Sequence, residues 1–241
     1  MTTPADDILT TLKQGVLAVQ GEFLWGSNYT FLVQVEYEDN KIGAVYKPIK
    51  GERPLWDFPA ATLAHREVAA YLVSEALGWH LVPPTVHRDK GPIGPGSLQL
   101  FIEHDPEYHY FNFEKKDIQR LRPVALFDIL INNADRKGSH VLVDQENKLW
   151  LIDHGICFHV EDKLRTVIWD FAGESLPEDL CEDINEFIKM MRAPSSYTHT
   201  LKEHLSKEEF QAMLARADRL LSSGHFPDPH ASRRFQPWPP L

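Results

Sequence analysis

Two aspartates stand where a carboxylate can act on a phosphate group. Asp135 lies in the polar run Asn132-Asn133-Ala134-Asp135-Arg136-Lys137-Gly138-Ser139-His140, where a helical pattern ends, and His140 directly precedes the apolar Val141-Leu142-Val143. Asp153 follows the apolar run Leu149-Trp150-Leu151-Ile152 and opens a glycine-containing turn, Asp153-His154-Gly155. Both carboxylates therefore fall at the open ends of a short hairpin-like unit. Phosphoryl transfer needs such a pair: one carboxylate orients and deprotonates the acceptor hydroxyl, and another holds a divalent metal on the nucleotide phosphates. Either aspartate alone reads as an ordinary turn residue; the pair, one of them at a strand end before a glycine turn, reads as catalytic. Lys47 ends the strand-like Ala44-Val45-Tyr46-Lys47 and could reach phosphates as a compact point charge. Its bland alternative is an edge-strand lysine that opposes aggregation. Glu67, in the helical run Arg66-Glu67-Val68-Ala69-Ala70-Tyr71, would pair with Lys47 if its helix packs on that strand; in isolation it reads as a solvated glutamate.

The elements that must position these residues follow from periodicity and punctuation. A short helix opens near Thr3-Pro4 and ends at Gly15. Residues 16–37 turn β-rich, Asp39-Asn40 is a turn, and Lys41 to Tyr46 is the return strand of a hairpin closed by Pro48. Gly51 to Pro59 is a loop, and a helix spans about Ala60 to Leu77 with Gly78 at its C-cap. Leu81-Val82 reads as a short strand and Ser97 to Glu103 as a strongly apolar one. A helix covers about Lys116 to Asn132, strand-like runs cover Val141–Val143 and Leu149–Ile152, and two helices come last. One spans about Pro177 to Met191; the other opens on the capping box Ser206…Glu209. The proline- and aromatic-rich tail from Phe226 to Leu241 reads as an extended strap or disorder. The sum is an α+β, two-lobed plan: a β-rich N-lobe over 1–103, an α-rich C-lobe over 104–241, and a cleft between them within one domain.

Composition narrows the function classes. The formal net charge of −10 and the lack of any long Lys/Arg run argue against nucleic acid as a partner and against docking on anionic lipid. Two cysteines give no disulfide framework and no zinc spacing. With no signal-peptide pattern and no apolar run of membrane-spanning length, the expectation is a cytoplasmic protein without a stable membrane anchor.

Taken together in order, these residues resemble the phosphoinositide 3-/4-kinase superfamily, nearest to type II phosphatidylinositol 4-kinases and their bacterial relatives. The resemblance runs through Val45-Tyr46-Lys47-Pro48, Glu67-Val68-Ala69-Ala70-Tyr71-Leu72-Val73, Leu77-Gly78 with Val82-Pro83-Pro84-Thr85, Gly96-Ser97-Leu98-Gln99-Leu100-Phe101, Asn133-Ala134-Asp135-Arg136 and Ile152-Asp153-His154-Gly155. Single pieces are weak signals; six collinear pieces over roughly residues 21 to 175 are strong. The resemblance implies a protein-kinase-like fold with ATP between the lobes and Mg2+ or Mn2+ beside it. It implies that Lys47 binds the α/β-phosphates with Glu67 orienting it, and that the strand Gln99-Leu100-Phe101-Ile102 leads into the hinge beside adenine. It further implies that Asp135 is the catalytic base or acceptor-orienting carboxylate, that Asp153 binds metal, and that Trp25-Gly26-Ser27-Asn28 covers the phosphates through Ser27 and Asn28.

Two departures bear on mechanism. His140 falls where the family has a metal-binding Asn, and imidazole suits manganese better than magnesium. The clustered-cysteine segment of the type II lipid kinases has no counterpart, which with the net charge counts against a lipid substrate. The leading expectation is an ATP-dependent kinase acting on an alcohol of a small molecule or protein. Transfer of AMP, and a nucleotide-binding pseudokinase module, are the alternatives. The remaining histidines (His104, His109, His154, His159) read as surface or supporting groups.

Overall fold

The computed structural model describes residues 4–23, 28–229 and 234–241. Helix α1 (Pro4–Gln14) leads into β1 (Val16–Glu22), β2 (Phe31–Tyr37) and β3 (Asn40–Pro48), a meander of antiparallel strands. After α2 (Leu63–Ala76), strands β4 (Thr85–Arg88) and β5 (Gly96–Leu100) complete a five-stranded sheet in the order β1-β2-β3-β5-β4. The period-two alternation of β3 decides which side chains reach the cleft. Ala44 and Tyr46 turn into a small core with Leu12, Val33, Val35, Val86 and Leu98. Val45 and Lys47 face the opposite side, beside Gln99 of β5, which pairs with Val45.

The second half holds α3 (Lys115–Gln119), α4 (Arg122–Ile131), the hairpin β6 (Val141–Val143) and β7 (Leu149–Leu151), and then α5 (Glu178–Arg192), α6 (Ser196–His204) and α7 (Lys207–Ser223). A large core joins these helices to α2 through Ala69, Ala70, Val73 and Leu77. The mixed architecture, an antiparallel sheet above a helical half, is the one expected.

Several local expectations change. Leu81 and Val82 are not a strand; both are buried in the larger core, and the strand begins after Pro83-Pro84, whose nitrogens cannot donate to a ladder. The helix expected over 116–132 is two helices, because Pro123 opens α4; proline is tolerated in a first turn but not in a helix interior. Helix α6 had no sequence expectation: it is polar, with only Thr198 and Leu201 buried, and its legible signal is the Ser195 cap accepting from the Thr198 amide at 3.0 Å. The Ser206/Glu209 capping box forms as expected. Of the tail from Phe226 to Leu241, expected as an extended strap or disorder, residues 234–241 pack as a strap, with the Phe235 carbonyl accepting from Thr166 N (3.0 Å) and the Pro240 carbonyl from Gly138 N (2.8 Å). Among the described residues, no helix is long and apolar enough to cross a membrane.

Candidate active site

Helix α4 ends at Asn132, whose left-handed backbone (φ 54°) turns the chain sharply. The Asn132 side chain then ties down the following loop. Its amide donates to the carbonyls of His159 (2.9 Å) and Glu161 (2.7 Å), and its oxygen accepts from Lys163 N (2.9 Å). Asn133 donates to Asp128 Oδ1 (3.0 Å) and accepts from the Asp135 amide (2.9 Å), which aims Asp135 away from the helix. Beneath this loop lies a fully buried ion pair, Asp128 with Arg136. Every nitrogen of Arg136 is used: Nε and Nη2 bind Asp128, Nη1 binds the carbonyls of His140 (3.1 Å) and Ile152 (2.9 Å), and Nη2 also reaches His154 Nε2 (2.8 Å). One guanidinium thus pins the loop that carries Asp135 to the hairpin that carries Asp153.

Guanidinium can only donate, so His154 Nε2 accepts and the ring proton sits on Nδ1, 3.9 Å from Glu67 Oε2. Burial first, and the adjacent Arg136 charge second, push His154 far below the usual imidazole range. His154 is completely buried, so of the two readings given to it, surface or supporting, it is the supporting one.

Asp153 follows β7 with a left-handed backbone (φ 63°), a conformation that Asp tolerates better than most residues. The turn is held by the His154 amide donating to Glu67 Oε2 (3.0 Å). The other oxygen of Glu67 accepts from Lys47 Nζ, and Lys47 in turn pairs with Asp153 Oδ1 at 3.0 Å. So α2, β3 and the turn after β7 meet in one chain of charges, Glu67–Lys47–Asp153, as expected if the helix packed on the strand. Burial opposes the charge on Lys47, but Asp153 and Glu67 outweigh it and raise its pKa. Lys47 holds Asp153 well below the usual carboxylate range, against burial. His140 Nε2 lies 3.4 Å from Asp153 Oδ2, and burial lowers His140 to about 4, so the ring is neutral near pH 7.

Asp135 differs. Burial raises it to about 6, partly offset by Lys137 at 3.6 Å and reinforced by Asp153. Two carboxylates on one cleft thus have environments that push their acidities apart.

These groups open on a cleft of about 340 Å³, within the range of small-molecule sites. Asn28, Lys47, Glu67, Gln99, Phe101, Ile102, Asp135, His140 and Asp153 all line it. Two of these side chains are already engaged: Gln99 donates to Thr85 Oγ1 (2.8 Å), and Asn28 accepts from the Arg53 amide (2.8 Å). Trp25, Gly26 and Ser27, expected over the phosphates, lie outside the described residues. The cleft also takes in Tyr29, His104, Ser139 and Leu142, which sequence reading did not assign to it. Ser139 had a signal, since it directly precedes His140.

The matching family model, phosphatidylinositol 3- and 4-kinase, covers residues 60–221. The chain belongs to the phosphatidylinositol 3- and 4-kinase family. Protein Rv2133c of Mycobacterium tuberculosis is 38% identical over 98% of this chain and 96% of its own length. Phosphatidylinositol 4-kinase gamma 4 of Oryza sativa subsp. japonica is 34% identical over 39% of this chain and 20% of that protein. Among solved structures, the Golgi casein kinase with Mn/ADP bound is similar with a TM-score of 0.53 at 17% identity, over 90% of this chain and 74% of that one. The Helicobacter pylori proinflammatory kinase CtkA gives a TM-score of 0.53 at 10% identity, over 89% and 94%. At those identities the likeness establishes the fold alone: this is a protein-kinase-like architecture.

Proposed function

We propose that the chain transfers the γ-phosphoryl group of ATP to an alcohol on a small molecule or protein, with nucleotide and one or more divalent metal ions in the cleft between sheet and helices. The observation that carries the reading is the Glu67–Lys47–Asp153 chain facing Asp135 across one cavity. Lys47 would lie against the α/β-phosphates, oriented by Glu67. The carboxylate of Asp135 would accept the acceptor's proton as its oxygen bonds to the γ-phosphorus and ADP leaves. A pKa near 6 suits a group that must be ionised near neutrality and still take a proton.

The donor set fits a hard divalent ion. Asp153 is ionised and half-exposed to the cleft, and such ions need only one or two protein carboxylates when phosphates and water supply the rest. Among the described residues no ready-made group of three or more His, Cys, Asp or Glu ligands exists, consistent with a metal that arrives with the nucleotide. When bound, the metal would neutralise phosphate charge. His140 would join Asp153 through Nε2; its Nδ1 is buried without a hydrogen-bond partner, whereas ligating histidines ordinarily donate that second proton. That makes Asp153 the principal ligand and His140 the weaker one.

The acidic composition favours a soluble acceptor over a lipid at an anionic surface. Calorimetry of the full chain with ATP and Mg2+ or Mn2+, followed by mass spectrometry of candidate acceptors, tests the reading. Metal-dependent nucleotide binding and an added phosphate are expected. No nucleotide–metal binding, or an added AMP, overturns it.

A further inference from the structure

Helix α2 sends three consecutive side chains in three directions, as the helical step of roughly 100° per residue requires. Glu67 turns to Lys47 in the cleft, Arg66 to Glu209 of α7 and the Cys157 carbonyl, and His65 to His204, the last residue of α6. Nδ1 of His65 and Nδ1 of His204 lie 3.0 Å apart. A third ring, His87 of β4, stacks on His65 with centroids 4.5 Å apart and planes 14° from parallel. Imidazoles from α2, α6 and β4 thus meet at one junction, and none of the three lines the nucleotide cleft.

A contact between two Nδ1 atoms admits one proton, so that one nitrogen donates and the other accepts. A second proton would set two cationic donors against each other in a half-buried place that disfavours charge. The surroundings do little to offset it. His87 adds another imidazole, whose Nε2 is buried without a partner. The carboxylate acting on His65 is that of Asp89, just after β4; it is 3.4 Å from His87 Nδ1 and 94% exposed. Arg66 is turned away to Glu209. His65 itself stands in the first turn of α2, where the helix dipole disfavours a cation. Burial first, and the neighbouring imidazoles second, lower both His65 and His204, the latter to about 4.

We propose that this cluster is an acid-released latch: with one shared proton it holds the start of α2 against the end of α6, and a second proton parts the two helices and frees α2, with Glu67, from its place beside Lys47. The latch acts on the helix whatever reaction the cleft carries out; only its effect on turnover rests on the proposed function. Imidazoles of the unfolded chain take up protons near the ordinary value of 6.5. The stability that the latch contributes is therefore whole above that value and lost as pH falls from there toward 4. Asp135 has the opposite sign over much of the same window, because burial raises it, so the latch is read against a variant that keeps Asp135.

The test is thermal unfolding of the full chain between about pH 7.5 and pH 4.5, beside His65→Phe/His204→Phe, which keeps two rings and loses their protons. As pH falls, the difference in Tm should move against the wild type by about 3 °C or more. Should the variant fail to fold, amide hydrogen exchange of the wild type at about pH 7 and pH 5, corrected for intrinsic rates, decides. Protection of α6 should fall about tenfold or more relative to that of α7. A Tm difference that does not change with pH, or α6 protection that falls no further than that of α7, would overturn the proposal. Neither measurement reads activity, so failure of the phosphotransfer reading would leave the outcome untouched.

Discussion

Two carboxylate–cation pairs lie close together in this molecule and have opposite characters. Asp128–Arg136 is sealed at 0% exposure, and every guanidinium nitrogen has a partner. Asp153–Lys47 has the same elementary chemistry, but Asp153 is half-exposed and faces a cavity. A saturated pair can only hold a shape. A pair with unsatisfied valences toward a cavity can exchange partners, as a group must if it is to take up metal and phosphate. The difference separates the part of the molecule that positions from the part proposed to act.

The sharpest way to break the comparison is to remove one partner from each pair. Asp153→Ala should cut phosphoryl transfer by on the order of 10³-fold, the loss expected for a principal electrostatic group, while circular dichroism and Tm stay near wild type. Wild-type turnover in that variant would remove the cleft from consideration. Arg136→Leu should do the reverse: breaking a buried pair costs about 3–5 kcal/mol, read in urea denaturation. The double variant Asp128→Leu/Arg136→Leu should recover only part of that, because the His140 and Ile152 carbonyls still lose their donor.

The two pairs also differed in how far the sequence revealed them. Lys47, Asp135 and Asp153 were legible because each sits at or near an element end beside a proline, a glycine or a polar run, whereas Glu67, inside α2, was legible only through its expected pairing with Lys47 and the family resemblance. Their convergence follows from strand parity at β3 and the packing of α2. Asp128 was not legible: it stands inside the apolar run Leu126-Phe127-Asp128-Ile129-Leu130, where its only signal is a charge on a core helix. His154 was left open between surface and support because its neighbours in sequence say nothing of Arg136 and Phe127, which pack against it in space. The lost continuity of the 116–132 helix was legible in Pro123, and α6 was not, because a polar helix held by packing against α2 has almost no periodicity of its own.

Asp135 stands between the two regions, since it is buried enough to be raised to about 6 yet lines the cleft. Its free acid is the form that burial favours. Between the unperturbed value of 3.8 and about 6 the folded chain binds a proton that the unfolded chain has released. Stability from this group therefore falls as pH rises through that window and stays lower above it. Asp135→Asn should remove that cost and raise stability at pH 7 by on the order of 1–3 kcal/mol, while transfer is lost. The wild-type rate should decline as pH falls through about 6. A variant that loses activity without gaining stability would mean that Asp135 is ionised at little cost and belongs with Asp153.

The smallest effect concerns the metal. His140 is buried, neutral near pH 7 and 3.4 Å from Asp153 Oδ2. As a ligand it would favour Mn2+ over Mg2+, because imidazole is softer than an amide oxygen. Replacing it by Asn supplies that oxygen and removes the orphaned Nδ1. His140→Asn should therefore shift the ratio of Mn2+- to Mg2+-supported turnover toward Mg2+ by a few-fold, less than the roughly 10–100-fold loss seen when partners of metal ligands are removed, with Tm unchanged or slightly raised. An unchanged ratio would mean that His140 only donates to Asp153, leaving metal binding to the carboxylate and the nucleotide phosphates.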